Sequence, residues 1–144
     1  MGDITESAAF KLHRVTALID RIADDYLARE HGIHYAPFLV LLMARVLGPT
    51  AQQRIAANLG VSRASITQRV GALVQQGLIA VEPDPADARA NLVRLTESGN
   101  ALFERAWSGL ERHQSGLDDG VDEAALVAQL DRILANGAAI EGRS

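Results

Sequence analysis

Apolar residues recur at helical spacing along most of the chain, and the stretches end at glycine or proline. In the first stretch they are Leu12, Val15, Ile19, Ile22 and Tyr26. This spacing predicts a helix that ends at His31-Gly32. A second helix, apolar on most sides and therefore buried, is predicted from about Pro37 to Leu47, because proline suits a first helical turn and Gly48-Pro49 follows.

Two shorter helices are predicted on either side of Gly60. Thr50 and Gln53 fit a capping box, so the first is expected to open at Thr50 and to run to about Leu59. Ser62 is the expected N-cap of the second, which should end at Gly77. The buried face of this second helix is expected to hold Ile66, Val70, Leu73 and Val74.

After Gly77 the spacing of apolar residues changes from helical to strand-like. Residues 78–81 and 92–95 predict two short strands, and the two prolines within residues 82–87 exclude a helix between them. We therefore expect a hairpin with a long tip. Thr96-Glu97 predicts the cap of a further helix, and a last helix follows a turn at residues 118–120. The apolar residues of these two helices are Leu102, Phe103, Ala106, Trp107 and Leu110, then Leu126, Val127, Leu130, Ile133 and Leu134.

This order of elements predicts a mainly α fold with a small β-hairpin wing, which is a winged helix-turn-helix. We expect one domain over residues 1–144, with the winged helix-turn-helix lobe at 35–99 and a helical dimerisation region at 1–34 and 100–144. The apolar stripes of the first and last helices favour a dimer interface, although they would also close a bundle within one chain. The expected interface residues are Leu12, Ile19, Leu126, Leu130, Ile133 and Leu134.

The charges are unevenly distributed, although the net charge is −4. Between Arg45 and Leu95, six arginines stand against three carboxylates, and no acidic residue occurs from Arg45 to Val81. A basic centre between acidic ends suggests a lobe that faces phosphate. Segments of this net charge also arise by chance.

The predicted helix after Gly60 has an outward face that suits the DNA major groove. Ala64, Ser65, Gln68 and Gln75 fall opposite the buried face, with Thr67 and Arg69 on its flanks. Small and hydrogen-bonding side chains without acid allow approach to base edges, although a solvated polar face would look the same. The candidate DNA-contacting residues are Ser62, Arg63, Ser65, Thr67, Gln68, Arg69, Asp87 and Arg89.

These candidates have different expected roles. Gln68 suits adenine, and arginine suits guanine or phosphate. Ser62, Ser65 and Thr67 suit phosphate anchoring. In the hairpin tip, Arg89 suits the minor groove, with Asp87 holding it by a charge-assisted bond; the alternative is an ordinary exposed ion pair.

The same residues resemble those of the MarR family. Residues 55–67 (IAANLGVSRASIT) resemble its helix-turn-helix, and residues 77–79 (GLI) resemble the start of its wing. Residues 84–90 (DPADARA) resemble the wing tip with its Asp-x-Arg, and residues 95–99 (LTESG) resemble the segment that leads out of it. The resemblance is dense from about residue 50 to 103. It implies a homodimer, joined by its first and last helices, that binds a palindromic site on double-stranded DNA. It also implies a repressor, or less often an activator, released by a small ligand.

Three positions depart from the family pattern. Val81, Glu82 and Ala88 stand where members of the family often carry basic residues. Fewer phosphate contacts predict weaker affinity and a shallower salt dependence. Arg89 would then carry more of the role of the wing.

The resemblance further implies an effector site where the dimer body meets the DNA-binding lobe. The candidates from the matching helices are His13, Arg14, His34, Tyr35, Met43 and Trp107. A histidine or arginine among aromatic side chains suits a phenolic or aromatic carboxylate ligand. The alternative is that these residues belong to the core or to the ordinary surface.

Other classes of function find less support. The chain contains no cysteine, which excludes disulfides, thiolate metal sites and thiol redox sensing. The histidines and carboxylates form no tight ligand set and no catalytic motif, so we expect no metal, no cofactor and no enzyme. We also expect no membrane partner and a cytoplasmic location, because the chain lacks a long apolar run and a signal-like start. A winged helix that binds protein instead of DNA remains the alternative.

Overall fold

The computed structural model describes residues 2–143. A short 3-10 turn at Ile4–Glu6 precedes the first long helix. The helices and strands follow in the order α1 (Ala8–His31), α2 (Tyr35–Leu47), α3 (Gln52–Leu59), α4 (Arg63–Gln75), β1 (Ile79–Asp84), β2 (Asp87–Leu95), α5 (Glu97–His113) and α6 (Glu123–Glu141). The predicted order of elements and the winged helix-turn-helix are therefore confirmed.

The chain forms two compact units, one that reaches His113 and one that begins at Gln114. The first contains α1 to α5 and the hairpin, and it contains the hydrophobic core. The second contains α6, which buries none of its residues. The division of residues 1–144 into a winged lobe and a dimerisation region stays a prediction.

Helix α2 lies at the centre of the first unit, as its apolar sequence predicts. It contacts α1, α3, α4, α5 and β2, and burial of each large apolar side chain contributes about 1.5–3 kcal/mol. The largest fully buried side chains of the core are Phe38, Leu27, Leu41, Ile55, Ile66, Leu73, Ile79, Val40 and Val93.

The start of α5 is fixed against the end of α4 and the root of the hairpin. The Thr96 hydroxyl donates to the Gly77 carbonyl (2.6 Å) and accepts from the Gly99 amide (3.0 Å), which confirms Thr96 as the cap. A Cβ at residue 99 would overlap the backbone carbonyl of Leu78. Glycine at 99 is what allows α5 to approach the backbone of Leu78, the residue before β1, this closely.

The capping box predicted at Thr50 is wrong. The N-cap of α3 is Ala51, which makes no side-chain cap hydrogen bond. Thr50 instead exchanges two backbone hydrogen bonds with Val93 of β2 and is 3% exposed. The backbone of Thr50 is hydrogen-bonded to a strand that is distant in sequence, and the local sequence pattern does not reveal such a partner.

The start of α2 also has a tertiary cause. Asp24 of α1 accepts a hydrogen bond from the backbone N–H of Tyr35 (2.9 Å), so α2 begins two residues before the predicted Pro37. A carboxylate from another helix caps it, where the sequence alone indicated only the proline.

The hairpin is longer and its tip shorter than predicted. The strands run to Asp84 and start again at Asp87, which leaves two residues in the turn. Proline is tolerated here because β1 and β2 are both edge strands of a two-stranded sheet. The prediction that Val74 lies on the buried face is also wrong, since that side chain is 41% exposed.

Candidate nucleic-acid interface

A tight turn presents α4 at the surface. Gly60 ends α3 with φ 66°, a left-handed conformation that glycine adopts without strain. Ser62 then caps α4 as predicted, because its hydroxyl accepts from the backbone N–H of Ser65 at 3.1 Å. The two helices are thereby joined by a short, well-defined turn.

The exposed surface of α4 divides into an outward face and two flanks. The outward face contains Ala64 and Gln68, both exposed. One flank, with Arg63 and Thr67, borders the start of α3 and strand β2. The opposite flank contains the half-buried Ser65 and Arg69. The predicted DNA-contacting residues of this helix therefore do not share one face.

Arg69 lies in a cleft between helices. The cleft has a volume of about 570 Å³ and is formed by side chains of α1, α2, α3 and α4 with Val61 of the turn. Its lining consists of Asp20, Arg21, Asp24, Asp25, Tyr35, Ala36, Leu39, Leu59, Val61 and Arg69. Arg69 thus connects α4 with this open cleft, while the neighbouring Gln68 is exposed on the outward face.

The wing presents Arg89 on an irregular part of the hairpin. Pro83 pairs with Asn91 while Asp84 pairs with Asp87, so the register shifts and Arg89 lies in the extra segment of β2. The carboxylate of Asp87 accepts from the backbone N–H of Arg89 at 3.0 Å. Asp87 therefore fixes the backbone at this point, and the exposed guanidinium of Arg89 remains available.

Four of the six arginines of the basic centre form no salt bridge within the described residues. Among residues 2–143, Arg45 pairs with Glu104, and Arg94 pairs with Glu82 across the hairpin at 2.5 Å. The Arg94 guanidinium lowers the pKa of the Glu82 carboxyl. Glu82 stands where members of the family often carry a basic residue, and here its negative charge is paired with Arg94. Within the same described residues no salt bridge involves Arg54, Arg63, Arg69 or Arg89. The exposed Arg54, Arg63 and Arg89 are groups that could neutralise DNA phosphates, whereas Arg69 lies in the cleft with three aspartates.

The six effector candidates do not meet in one cavity. Tyr35 is half-buried and lines the cleft, where burial raises the pKa of its hydroxyl. His34 is exposed beside it and contacts Asp24 at 3.0 Å. The other four lie elsewhere: His13 and Arg14 along α1 near the 3-10 turn, Met43 against the core, and Trp107 stacked on Phe103.

The sequence analysis did not anticipate that Arg21 and Arg69 line the same cleft. Arg21 follows Asp20 on the polar side of α1, and Arg69 was assigned to DNA alone. Their only sequence signal is a charged run opposite an apolar stripe, which is the pattern of any solvated helix face. The fold that brings α1 beside α4 supplies the missing information.

The candidate dimer residues are incompletely covered within one chain. On α1, Leu12 and Ile19 are half-buried, and on α6 Leu130 is half-buried. Leu126, Ile133 and Leu134 are 46%, 49% and 71% exposed. An exposed apolar stripe is typical of an interface, and the homodimer stays a prediction.

Within residues 2–143, no three histidine or acidic side chains lie close enough together to hold a metal ion. In the same part of the chain, no helix has the length and apolar character needed to cross a membrane.

Comparison with known sequences identifies relatives. A family model described as the MarR family matches residues 31–90. The multiple antibiotic resistance protein MarR of Escherichia coli is 30% identical over 105 residues, 72% of either chain. The uncharacterized HTH-type transcriptional regulator YkoM of Bacillus subtilis is 28% identical over 102 residues, 69% of this chain. The matched regions span 66%, 59% and 42% of the length of three curated relatives, YkoM being the first.

Solved structures share the fold. CouR from Rhodococcus jostii, bound to p-coumaroyl-CoA, superposes with a TM-score of 0.82 at 22% identity, over 92% of this chain and 93% of that chain. A mutant of MarR from Escherichia coli in complex with operator DNA gives 0.76 at 26% identity, over 94% and 98%. Because the aligned region of the Escherichia coli relative covers more than two thirds of both proteins at this identity, the chain belongs to the MarR family.

Proposed function

We propose that this protein is a transcription regulator that binds a palindromic double-stranded DNA operator as a homodimer. The observation that carries the proposal is the surface formed by α4 and the wing. Gln68 is exposed on α4 with no acidic residue on that helix, and Arg63 of α4 and Arg89 of the wing are exposed and form no salt bridge among residues 2–143. The structure of the related MarR mutant in complex with operator DNA supports the same use of this fold.

A dimer gives the DNA site its symmetry. Two recognition helices about 34 Å apart reach successive major grooves on one side of the duplex. The apolar residues that α6 leaves exposed support a second copy as its partner. Gln68 is expected to read a base edge in each half-site, and Arg89 is expected to enter the adjoining minor groove.

We further propose a repressor that a small aromatic ligand releases from DNA. The cleft brings Arg21, Arg69 and Tyr35 together with the apolar side chains of Leu39 and Val61, and the carboxylates of Asp20, Asp24 and Asp25 line it as well. A ring would pack on these apolar side chains. A phenol hydroxyl would donate to one of the carboxylates or accept from an arginine, whereas a ligand carboxylate would need an arginine and would be disfavoured by the three aspartates. Because Arg69 belongs to the recognition helix, such a ligand would favour some placements of α4 and lower DNA affinity by its differential binding. CouR, which shares the fold, binds p-coumaroyl-CoA.

DNA binding tests the proposal directly. We would titrate the purified protein with its own upstream intergenic DNA at two salt concentrations, beside Gln68→Ala, Arg89→Ala and a control, Arg29→Ala. Arg29 pairs with Glu30 on α1 and lies outside the basic centre of residues 45–95, so its loss removes one positive charge without touching that centre. The proposal is supported if the wild type binds this DNA saturably and more tightly than competitor DNA. Affinity should be unchanged in the control and weakened about 5- to 100-fold in both test variants. The bound complex then serves to screen phenols and aromatic carboxylates for release.

A negative result would be followed by selection from random sequences, because the operator need not lie upstream. If that selection enriches nothing, DNA binding fails as the function. A winged-helix module that binds another protein is then the better account.

A further inference from the structure

A small notch opens between α3, α4 and the wing. It has a volume of about 280 Å³, and its lining comes from three separate elements. The lining residues are Ala51, Gln52, Gln53, Arg63, Thr67, Ala90 and Asn91. None is acidic, and the only charge is that of Arg63. The electrostatics of the notch therefore suit an anion.

One hydrogen bond inside the notch determines what its polar groups can do. The Thr67 hydroxyl donates to the amide oxygen of Gln52 at 3.0 Å. A threonine hydroxyl has one proton, so in this arrangement Thr67 has none left to donate elsewhere. The Gln52 amide nitrogen keeps two N–H groups, and it makes no hydrogen bond to residues 2–143.

We propose that Gln52 donates a hydrogen bond to a phosphate of the DNA backbone in this notch, and that Thr67 is the residue that positions its amide. The inference rests on the proposed DNA-binding function. A phosphate oxygen only accepts hydrogen bonds, so the group that meets it must still have a proton. Gln52 satisfies that condition and Thr67 does not, which reverses the role that the sequence alone suggested for Thr67. Arg63 supplies the positive charge beside the amide.

The test is a double-mutant cycle on operator affinity. Gln52→Leu removes the donor, and Thr67→Val removes the hydroxyl while it keeps the branched shape. We expect Gln52→Leu to weaken binding roughly tenfold, the size expected for one hydrogen bond to a charged group. Thr67→Val should weaken it by no more, and the double variant should bind like Gln52→Leu alone, because the two residues act as one unit. Thr67→Ser keeps the donor and should restore wild-type affinity.

Two further readouts separate a phosphate contact from other roles. Gln52 carries no charge, so its loss should leave the slope of log Kd against log salt unchanged, whereas Arg63→Gln should reduce it by about one. Gln52→Leu should also weaken operator and scrambled duplex by the same factor, since a phosphate contact carries no sequence information.

The outcomes are distinct. If the wild-type chain binds no DNA, the proposed function fails and this inference fails with it. If the wild type binds and Gln52→Leu binds equally well, only the inference fails. Three other results would also overturn the inference. The losses of DNA affinity could multiply in the double variant, or the loss could be confined to the operator. Both single variants could also show a fall in melting temperature that accounts for the weaker binding.

Discussion

Thr50 and Val93 exchange both of their backbone hydrogen bonds, at 3.1 Å and 2.7 Å, although 43 positions separate them in the sequence. The residue before α3 thereby becomes a one-residue strand on the edge of β2. This bridge fixes the root of the wing against the start of the helix-turn-helix. The relative placement of Arg89 and α4 depends on it.

The bridge predicts the effect of substitutions at residue 50. Thr50→Pro removes the N–H that the Val93 carbonyl accepts, and it should lower the free energy of unfolding by about 1–3 kcal/mol. Thr50→Val keeps both backbone bonds and is the matched control. Urea denaturation of both variants measures the difference; equal midpoints would show that the bridge contributes nothing.

The close approach of α5 to the hairpin root predicts a strong effect at Gly99. Gly99→Ala places a Cβ against the backbone carbonyl of Leu78, which cannot move aside as the end of a flexible side chain could. We expect a loss of more than about 3 kcal/mol in the free energy of unfolding. Gly71→Ala, in α4 with nothing within 4 Å of the new Cβ, should instead stabilise the fold by up to about 1 kcal/mol. A thermal melt that ranks the two variants the other way would contradict the observed packing.

Asp24 predicts a specific pH dependence. The backbone N–H of Tyr35, and secondarily the His34 ring, hold the pKa of its carboxyl below the usual value of 3.8. The ionised form therefore stabilises the fold at neutral pH, and this contribution is lost as the pH falls through the folded-state pKa. Asp24→Asn should be less stable than wild type at pH 7 by less than about 1 kcal/mol, because the carboxylate is partly exposed.

Denaturation over a pH series distinguishes this effect from a general loss of packing. The stabilities of wild type and Asp24→Asn should converge as the pH falls below about 4. Asp25→Asn, at the exposed neighbour, serves as control and should follow the wild-type curve throughout. A constant gap between wild type and Asp24→Asn at every pH would reject the electrostatic account.

The exposed stripe of α6 predicts the oligomeric state. Leu134 is 71% exposed in the single chain, so Leu134→Glu costs little within it but would bury an unpaired charge at a dimer interface. We expect the dissociation constant of the dimer to rise at least about a hundredfold, with the helical circular dichroism signal retained. Gln129→Glu on the same helix is the control. Sedimentation that finds both variants equally dimeric, or the wild type monomeric, would remove α6 from the interface.

Local chemistry made most elements predictable. Ser62 and Thr96 cap α4 and α5 as expected, because a cap depends on residues within three positions of it. The predicted helix starts were wrong where the hydrogen-bonding partner is distant in sequence, as for Thr50 with Val93 and Tyr35 with Asp24. The tip of the hairpin was predicted too long for a related reason. Pro83 can belong to a strand only if that strand lies at the edge of a sheet, and the local sequence does not show that β1 does.

The candidate site was predictable in its residue types and less so in its geometry. A helical projection places Thr67 and Arg69 on opposite flanks of α4, but it does not show what each flank meets. The fold sets Thr67 beside Gln52 and Arg69 in the cleft. Gln52 was not identified because a glutamine at the start of a helix is common and its partner lies 15 positions away.

The position of Arg69 beside Gln68 has a consequence for how this protein can evolve. Gln68 faces outward and Arg69 lines the cleft, so under the proposed function adjacent codons specify operator choice and ligand response. A genetic screen for variants that no longer respond to inducer should therefore recover substitutions in the same short helix as a screen for variants that no longer repress. Selection for a new operator would tend to disturb induction as well, so the two traits would be inherited together and would diverge slowly from each other.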